Sequence, residues 1–172
     1  MKKLKALYIV IIIAACIIIA SIIIAVVLFT GKTETKAYET VAKSVLTKTY
    51  GAALQDYINL TNALTQSSEN DDLFYDYLQK KYGEQLTESG YTKFLSSRIP
   101  SIATKIAYEE NSDLKVSSIE LKPQDAIEGG KRFDFTIQVQ TEKDASKAFT
   151  FKGSISLTQE DGHWKVDGIT PH

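Results

Sequence analysis

An α+β domain, with its helices first and a curved antiparallel sheet after them, is the fold class that this 172-residue sequence predicts behind an apolar head. Three observations predict it. Apolar residues recur at three- and four-residue steps from Tyr38 to Tyr108, they alternate with polar residues beyond Asn111, and turn signals such as Asp161-Gly162 separate the alternating runs.

The head comes first in the chain. From Ala6 to Phe29 there are 24 residues without a charge, about 36 Å as a helix against a hydrocarbon core of about 30 Å. A membrane-spanning helix over residues 6–29 is expected, after a tail over 1–5 and before a polar linker over 30–37 and a domain over 38–172. Lys2, Lys3 and Lys5 crowd the N-terminal flank, and an excess of Lys and Arg marks the cytoplasmic side. The expected protein is therefore a single-pass cell-membrane protein with its C-terminal domain outside.

The tetrapeptide Ile13-Ala14-Ala15-Cys16 has the form of a bacterial lipidation box. Cleavage there would leave Ile17 to Phe29, an almost wholly apolar stretch too short to span and too apolar to dissolve. An uncleaved anchor is expected instead, with Cys16 about 15 Å into the run and near the bilayer midplane. On the helical wheel Ala14, Ser21 and Ala25 fall within about 40° of one another. Such a small-residue stripe lets membrane helices approach closely, although alanine is also simply a good apolar helix former.

Beyond the linker, Tyr38, Val41, Val45, Leu46, Leu54, Tyr57, Ile58, Thr61 and Leu64 predict one amphipathic helix of about 28 residues, bent near Gly51. Ser67 to Asn70 form a connection. Asp71 then caps a helix carrying Leu73, Phe74, Tyr77, Leu78 and Tyr82, which Gly83 closes. Thr87 caps a third helical segment with Tyr91, Phe94 and Leu95. Pro100 resets the chain, and Ser101 to Tyr108 suits a helix somewhat better than a strand.

Four strands follow. Val116 to Leu121 is the first; Phe133, Phe135, Ile137 and Val139 mark the second, Phe149, Phe151, Ile155 and Leu157 the third, and Trp164 and Val166 the fourth. Regular alternation gives each strand one dry and one wet face. Phe133, Phe135, Phe149, Phe151, Trp164 and Val166 are thus the expected core of a cone closed by the helices, with Gly168 letting the chain leave the sheet.

Chemistry is sparse in this pattern. Of 20 basic residues three lie in the head, so the remaining 17 stand against 21 acidic ones, a balance of about four negative charges. Such a surface repels a phosphate backbone, and no direct nucleic-acid binding is expected. The domain has no cysteine and only His163 and His172, so a Cys-His nucleophile is excluded there and neither a zinc site nor any cofactor is expected. A Lys- and Ile-rich domain without cysteine fits the outer face of a bacterium with a single membrane.

Asp71-Asp72 and Glu109-Glu110 are adjacent acids whose side chains diverge on a helix, and acids in a first turn are explained by the helix dipole. Gly129-Gly130 precedes a strand and lacks the Gly-Lys-Ser/Thr of a phosphate loop. Tyr50, Tyr57, Tyr77 and Tyr82 sit at core spacings, with a tyrosine-lined pocket as the alternative.

The ending Gly162-His163-Trp164-Lys165-Val166-Asp167-Gly168-Ile169 resembles a Gly-x-Trp-Lys-Val/Ile-x-Gly-Ile motif common in bacterial members of the nuclear-transport-factor-two-like (cystatin-like) group. Tail, single anchor and external domain together resemble, in layout, the bitopic VirB-type assembly factors of type IV secretion. That resemblance implies a non-enzymatic scaffold without catalytic residues, which self-associates and docks other channel subunits of a conjugation apparatus. The alternative on the same fold is an extracytoplasmic module that binds a small ligand or cell-wall fragment. An open cone lined by the inward aromatics favours the binding module, and a plugged cone favours the scaffold.

Overall fold

The computed structural model describes residues 37–66, 72–97, 99–125 and 128–172. The apolar run, Cys16, the Ala14, Ser21 and Ala25 stripe, and the expected connection and cap over 67–71 lie outside the described residues. Helix α1 covers 37–50, followed by α2 (Leu54–Gln66), α3 (Asp72–Tyr82), a 3₁₀ turn (Gly83–Gln85), α4 (Glu88–Ser97) and α5 (Ile99–Glu109). Strands β1 (Leu114–Pro123), β2 (Gly130–Thr141), β3 (Ala148–Glu160) and β4 (His163–Pro171) then form one antiparallel sheet in sequence order. The α+β class, helices before a four-stranded antiparallel sheet, is as expected.

The predicted 28-residue helix is two helices. The chain leaves helical geometry at Gly51, Ala52 and Ala53. There the Leu114 amide donates to the Ala52 carbonyl at 2.8 Å, and the Leu54 amide donates to the Asp113 carboxylate at 2.7 Å. These partners come from the start of the sheet. They satisfy backbone groups that a continuous helix would have satisfied locally, so the break costs little hydrogen bonding.

Local signals fare better elsewhere. The Thr87 hydroxyl accepts from the Gly90 amide at 2.8 Å, the N-cap expected for α4. Gly83 follows α3 with φ +57°. The stretch around Ser101 to Tyr108 is helical as α5, and Pro100 sits in its first turn, where no amide is required. Asp161 and Gly162 both have positive φ, the geometry of a two-residue hairpin turn that matches strand twist.

One further expectation is corrected. The chain does not leave the sheet at Gly168, because β4 continues to Pro171, pairing Gly168 with Ser156 and Pro171 with Gly153. Glycine serves close packing there: a Cβ at 168 would lie 3.2 Å from the Lys93 Cδ on α4.

The core lies between α1 and the sheet. Ala42, Val45, Leu46, Thr49 and Tyr50 are buried on one stripe of α1, the i, i+3, i+4, i+7, i+8 spacing of an amphipathic helix. On β2, Phe133, Phe135, Ile137 and Val139 are buried and their neighbours half-buried or exposed, so the two faces differ as the alternation demands.

Candidate functional site

The inner face of the sheet gathers the six cone residues. Phe133, Phe135 and Val166 are buried, while Phe149, Phe151 and Trp164 are half-buried and pack against them. Helix α1 places a ring at each end of this face. Tyr38 lies 5.5 Å from Phe133 and 5.3 Å, edge-on, from Trp164. Tyr50 lies 5.8 Å from Phe135 and 4.7 Å from Phe151. Centroid separations of this size are ordinary contact between aromatic rings, so among the described residues α1 packs directly on the sheet at both of these places.

Tyr50, which reaches this face from α1 near Phe135, is poorly suited to proton transfer. Burial pushes its hydroxyl up to about 12. The oxygen is buried without a hydrogen-bond partner among the described residues. Tyr82 is a contrasting case, since its hydroxyl shares a 3.1 Å hydrogen bond with Thr49 while burial raises it further. Burial, followed by the charge of Asp56, also raises Tyr77. Tyr57 stacks on Tyr108 at 4.4 Å, joining α2 to α5.

The remaining polar positions flagged in the sequence are dispersed. His163 is exposed at the start of β4, in a depression of about 380 Å³ shared with Glu84, Glu160, Asp161 and Lys165. His172 donates its backbone amide to Lys152 at 2.9 Å. Glu110 pairs with Lys147 at 2.5 Å and Glu109 with Lys105 at 3.7 Å, so these acids serve ion pairs between or along elements. Asp71 lies outside the described residues, and Asp72 opens α3. Gly129-Gly130 forms the turn into β2. Among the described residues no cluster of three or more His, Cys, Asp or Glu side chains is placed to hold a metal ion.

Two depressions were not foreseen from the sequence. A groove of about 750 Å³ runs through the helical layer, where Tyr57, Leu60, Phe74, Leu95, Pro100 and Lys105 converge from four helices. A second recess of about 470 Å³ brings Lys93, Ser96 and Ser97 of α4 against Arg132, Ser154 and Thr170 on the sheet. Lys93 is already engaged there by Asp167 at 2.5 Å. Partial burial pushes the Asp167 carboxyl up, but hydrogen bonds from Lys93, Thr87 and Ser89, with the Lys93 charge, outweigh it and hold the group below its usual range. The only sequence signal for the groove is the broad apolar face of α2 and α3, where Ile58 and Leu73 remain exposed.

No family model and no curated protein sequence matches this chain. Among solved structures it is similar to a periplasmic fragment of TraM, with 11% sequence identity over 69% of this chain and 96% of that fragment, at a TM-score of 0.36.

Proposed function

We propose that this chain is a non-enzymatic, membrane-anchored scaffold subunit of a conjugative type IV secretion channel in a bacterium with a single membrane. Its domain over 38–172 is a nuclear-transport-factor-two-like cone held outside the cell by the helix over 6–29. The observation that carries this reading is the filled inner face. Helix α1 and the rings of Tyr38, Tyr50, Phe133, Phe135, Phe151 and Trp164 occupy the volume in which a cone-type enzyme or ligand carrier holds its substrate. None of the three depressions described above is lined by Phe133, Phe135, Phe149, Phe151 or Val166.

The partners follow from the same reading: other channel subunits and further copies of the chain, recognised by outer surfaces. Purification of the full-length chain in a mild detergent, with mass spectrometry of what accompanies it, tests this. Membrane-channel proteins, including a coupling ATPase, are expected. Recovery of the chain alone under conditions that keep membrane complexes intact would overturn the proposal.

A binding module is the second reading, and the groove of about 750 Å³ favours it, being within the size range of small-ligand sites. Titration of the full chain with soluble cell-wall fragments separates the two. A scaffold shows no protection from unfolding in that titration.

A further inference from the structure

The two edges of the sheet are finished differently. On the β4 side, Leu86 bridges Val166 in parallel and the Thr87 amide donates to the Val166 carbonyl at 3.0 Å, so that edge is covered. On the β1 side no further strand is paired among the described residues. Among the described residues the linker between α1 and α2 bonds the backbone of β1 at the Leu114 amide, and its Gly51 lies against the Val116 side chain on the inner face, where a Cβ would stand 3.5 Å from Val116 Cγ2.

The register of β1 against β2 skips Ser117. Because of this bulge, Leu114, Val116, Ile119 and Leu121 all lie opposite core-facing positions of β2, namely Thr141, Val139, Ile137 and Phe135. Side-chain face and backbone direction alternate together along a strand. Leu114 points its amide away from β2, toward Ala52, so Val116 and Ile119 point theirs to the open edge too. Val116, Ile119 and Leu121 are also only half-buried, as expected for apolar side chains awaiting a neighbour on one side.

The sequence of this edge is its own antiparallel complement. Written in reverse beneath itself about the Ser117/Ser118 midpoint, Lys115-Val116-Ser117-Ser118-Ile119-Glu120 sets Lys opposite Glu, Val opposite Ile and Ser opposite Ser. The bulge makes this register physical. The inward pair Val116 and Ile119 is symmetric about the midpoint, so a two-fold axis brings inward residues onto inward ones; an unbroken strand would put them on opposite faces. Lysine on an edge ordinarily repels an incoming strand. Here a second copy answers each Lys115 with a glutamate.

We propose that β1 pairs antiparallel with β1 of a second copy of this chain over Lys115 to Glu120, about a two-fold axis between Ser117 and Ser118. This deepens the scaffold reading above, on which its biological purpose rests. The ladder is short because Ala52 already occupies the edge at Leu114, and strand twist carries the two chains apart beyond Glu120. So small an interface falls below the roughly 1,000 Å² of a stable dimer and depends on the high local concentration of copies held on one surface.

The test uses the full-length chain in membranes, with Cys16→Ser as the background so that any other cysteine is a reporter. Two differently tagged copies, one Lys115→Cys and one Glu120→Cys, are expected to form a mixed disulfide, and neither variant alone is expected to link to itself. Without reporters, Lys115→Glu or Glu120→Lys is expected to lower self-association about tenfold, since two attractive pairs become repulsive. The double exchange is expected to restore it. Both positions are exposed, so folding is not at stake. Self-linking of the single variants equal to the mixed pair, failure of the double exchange to rescue, or linkage only to a protein of different mass would each overturn β1 self-pairing. If channel subunits still accompany the chain in that case, the scaffold reading stands; a β1 dimer with no accompanying subunit overturns the scaffold reading instead.

Discussion

The β4 edge and the β1 edge belong to one sheet, yet the first is held by helix and turn and the second is left to the solvent for most of its length. At β4 the contacts are dense and specific. Thr87 caps α4, donates its backbone amide to Val166 and its hydroxyl to the Asp167 carboxylate at 3.0 Å, and Lys93 closes on Asp167 from the next turn. At β1 the side chains beyond the buried Leu114 are either exposed or half-buried. The difference teaches that edge protection here is divided: one edge is stabilised by tertiary packing, whereas the other relies on charge, a bulge and Pro123, devices that discriminate among partners without excluding all of them.

Substitutions at the two edges should therefore act on different observables. The largest effect is expected from Gly90→Ala. Alanine ordinarily gains about 1 kcal/mol over glycine inside a helix, but a Cβ at 90 would stand 2.5 Å from the Val166 carbonyl oxygen. Pushing α4 off β4 should turn that gain into a loss of about 2 kcal/mol in denaturant unfolding. Thr87→Ala removes the cap and one bond to Asp167 and should cost about 1.5 kcal/mol by the same measurement. In the interior between the edges, Tyr50→Phe removes a buried hydroxyl with no partner among the described residues and should raise stability by about 1 kcal/mol, seen as a higher thermal midpoint.

Smaller still is the pH dependence at the β4 edge. The Asp167 carboxyl is held below 3.8, its ordinary value, so its stabilisation is complete above that pH and is lost as the pH falls through the lower folded value. The stability difference between the natural chain and Asp167→Asn should be constant near neutrality and shrink below about pH 4. At β1, Lys115→Glu should leave unfolding within about 0.5 kcal/mol of the natural chain while weakening self-association. A large loss of stability from Lys115→Glu, or none from Gly90→Ala, would break the contrast between the edges.

How far each element could be read depended on how local its cause is. The strand pattern from Phe133 to Val139, the Asp161-Gly162 turn and the Thr87 cap each follow from neighbours within a few residues, through side-chain period, left-handed backbone and a short hydroxyl reach. A bend near Gly51 was legible, but the full break after Tyr50 was not, because helical spacing continues in phase across Gly51. The bonds that end the helix come from Asp113 and Leu114, and the first of these spans 59 residues. The groove beside Tyr57 and Phe74 was likewise hidden, since it exists only where four helices meet.

By itself the sequence determined the order of helices and strands, the inward set on β2, the long apolar head and the absence of cysteine from the domain, because composition and period are properties of the chain alone. The tertiary structure decided that α1 packs its rings on the sheet's inner face, that Gly168 stays inside β4 under Lys93, that the register skips Ser117, and that β4 is covered while β1 is open for most of its length. Each of these depends on which distant backbone and side-chain groups arrive to satisfy or crowd a site. Local periodicity carries no information about such arrivals.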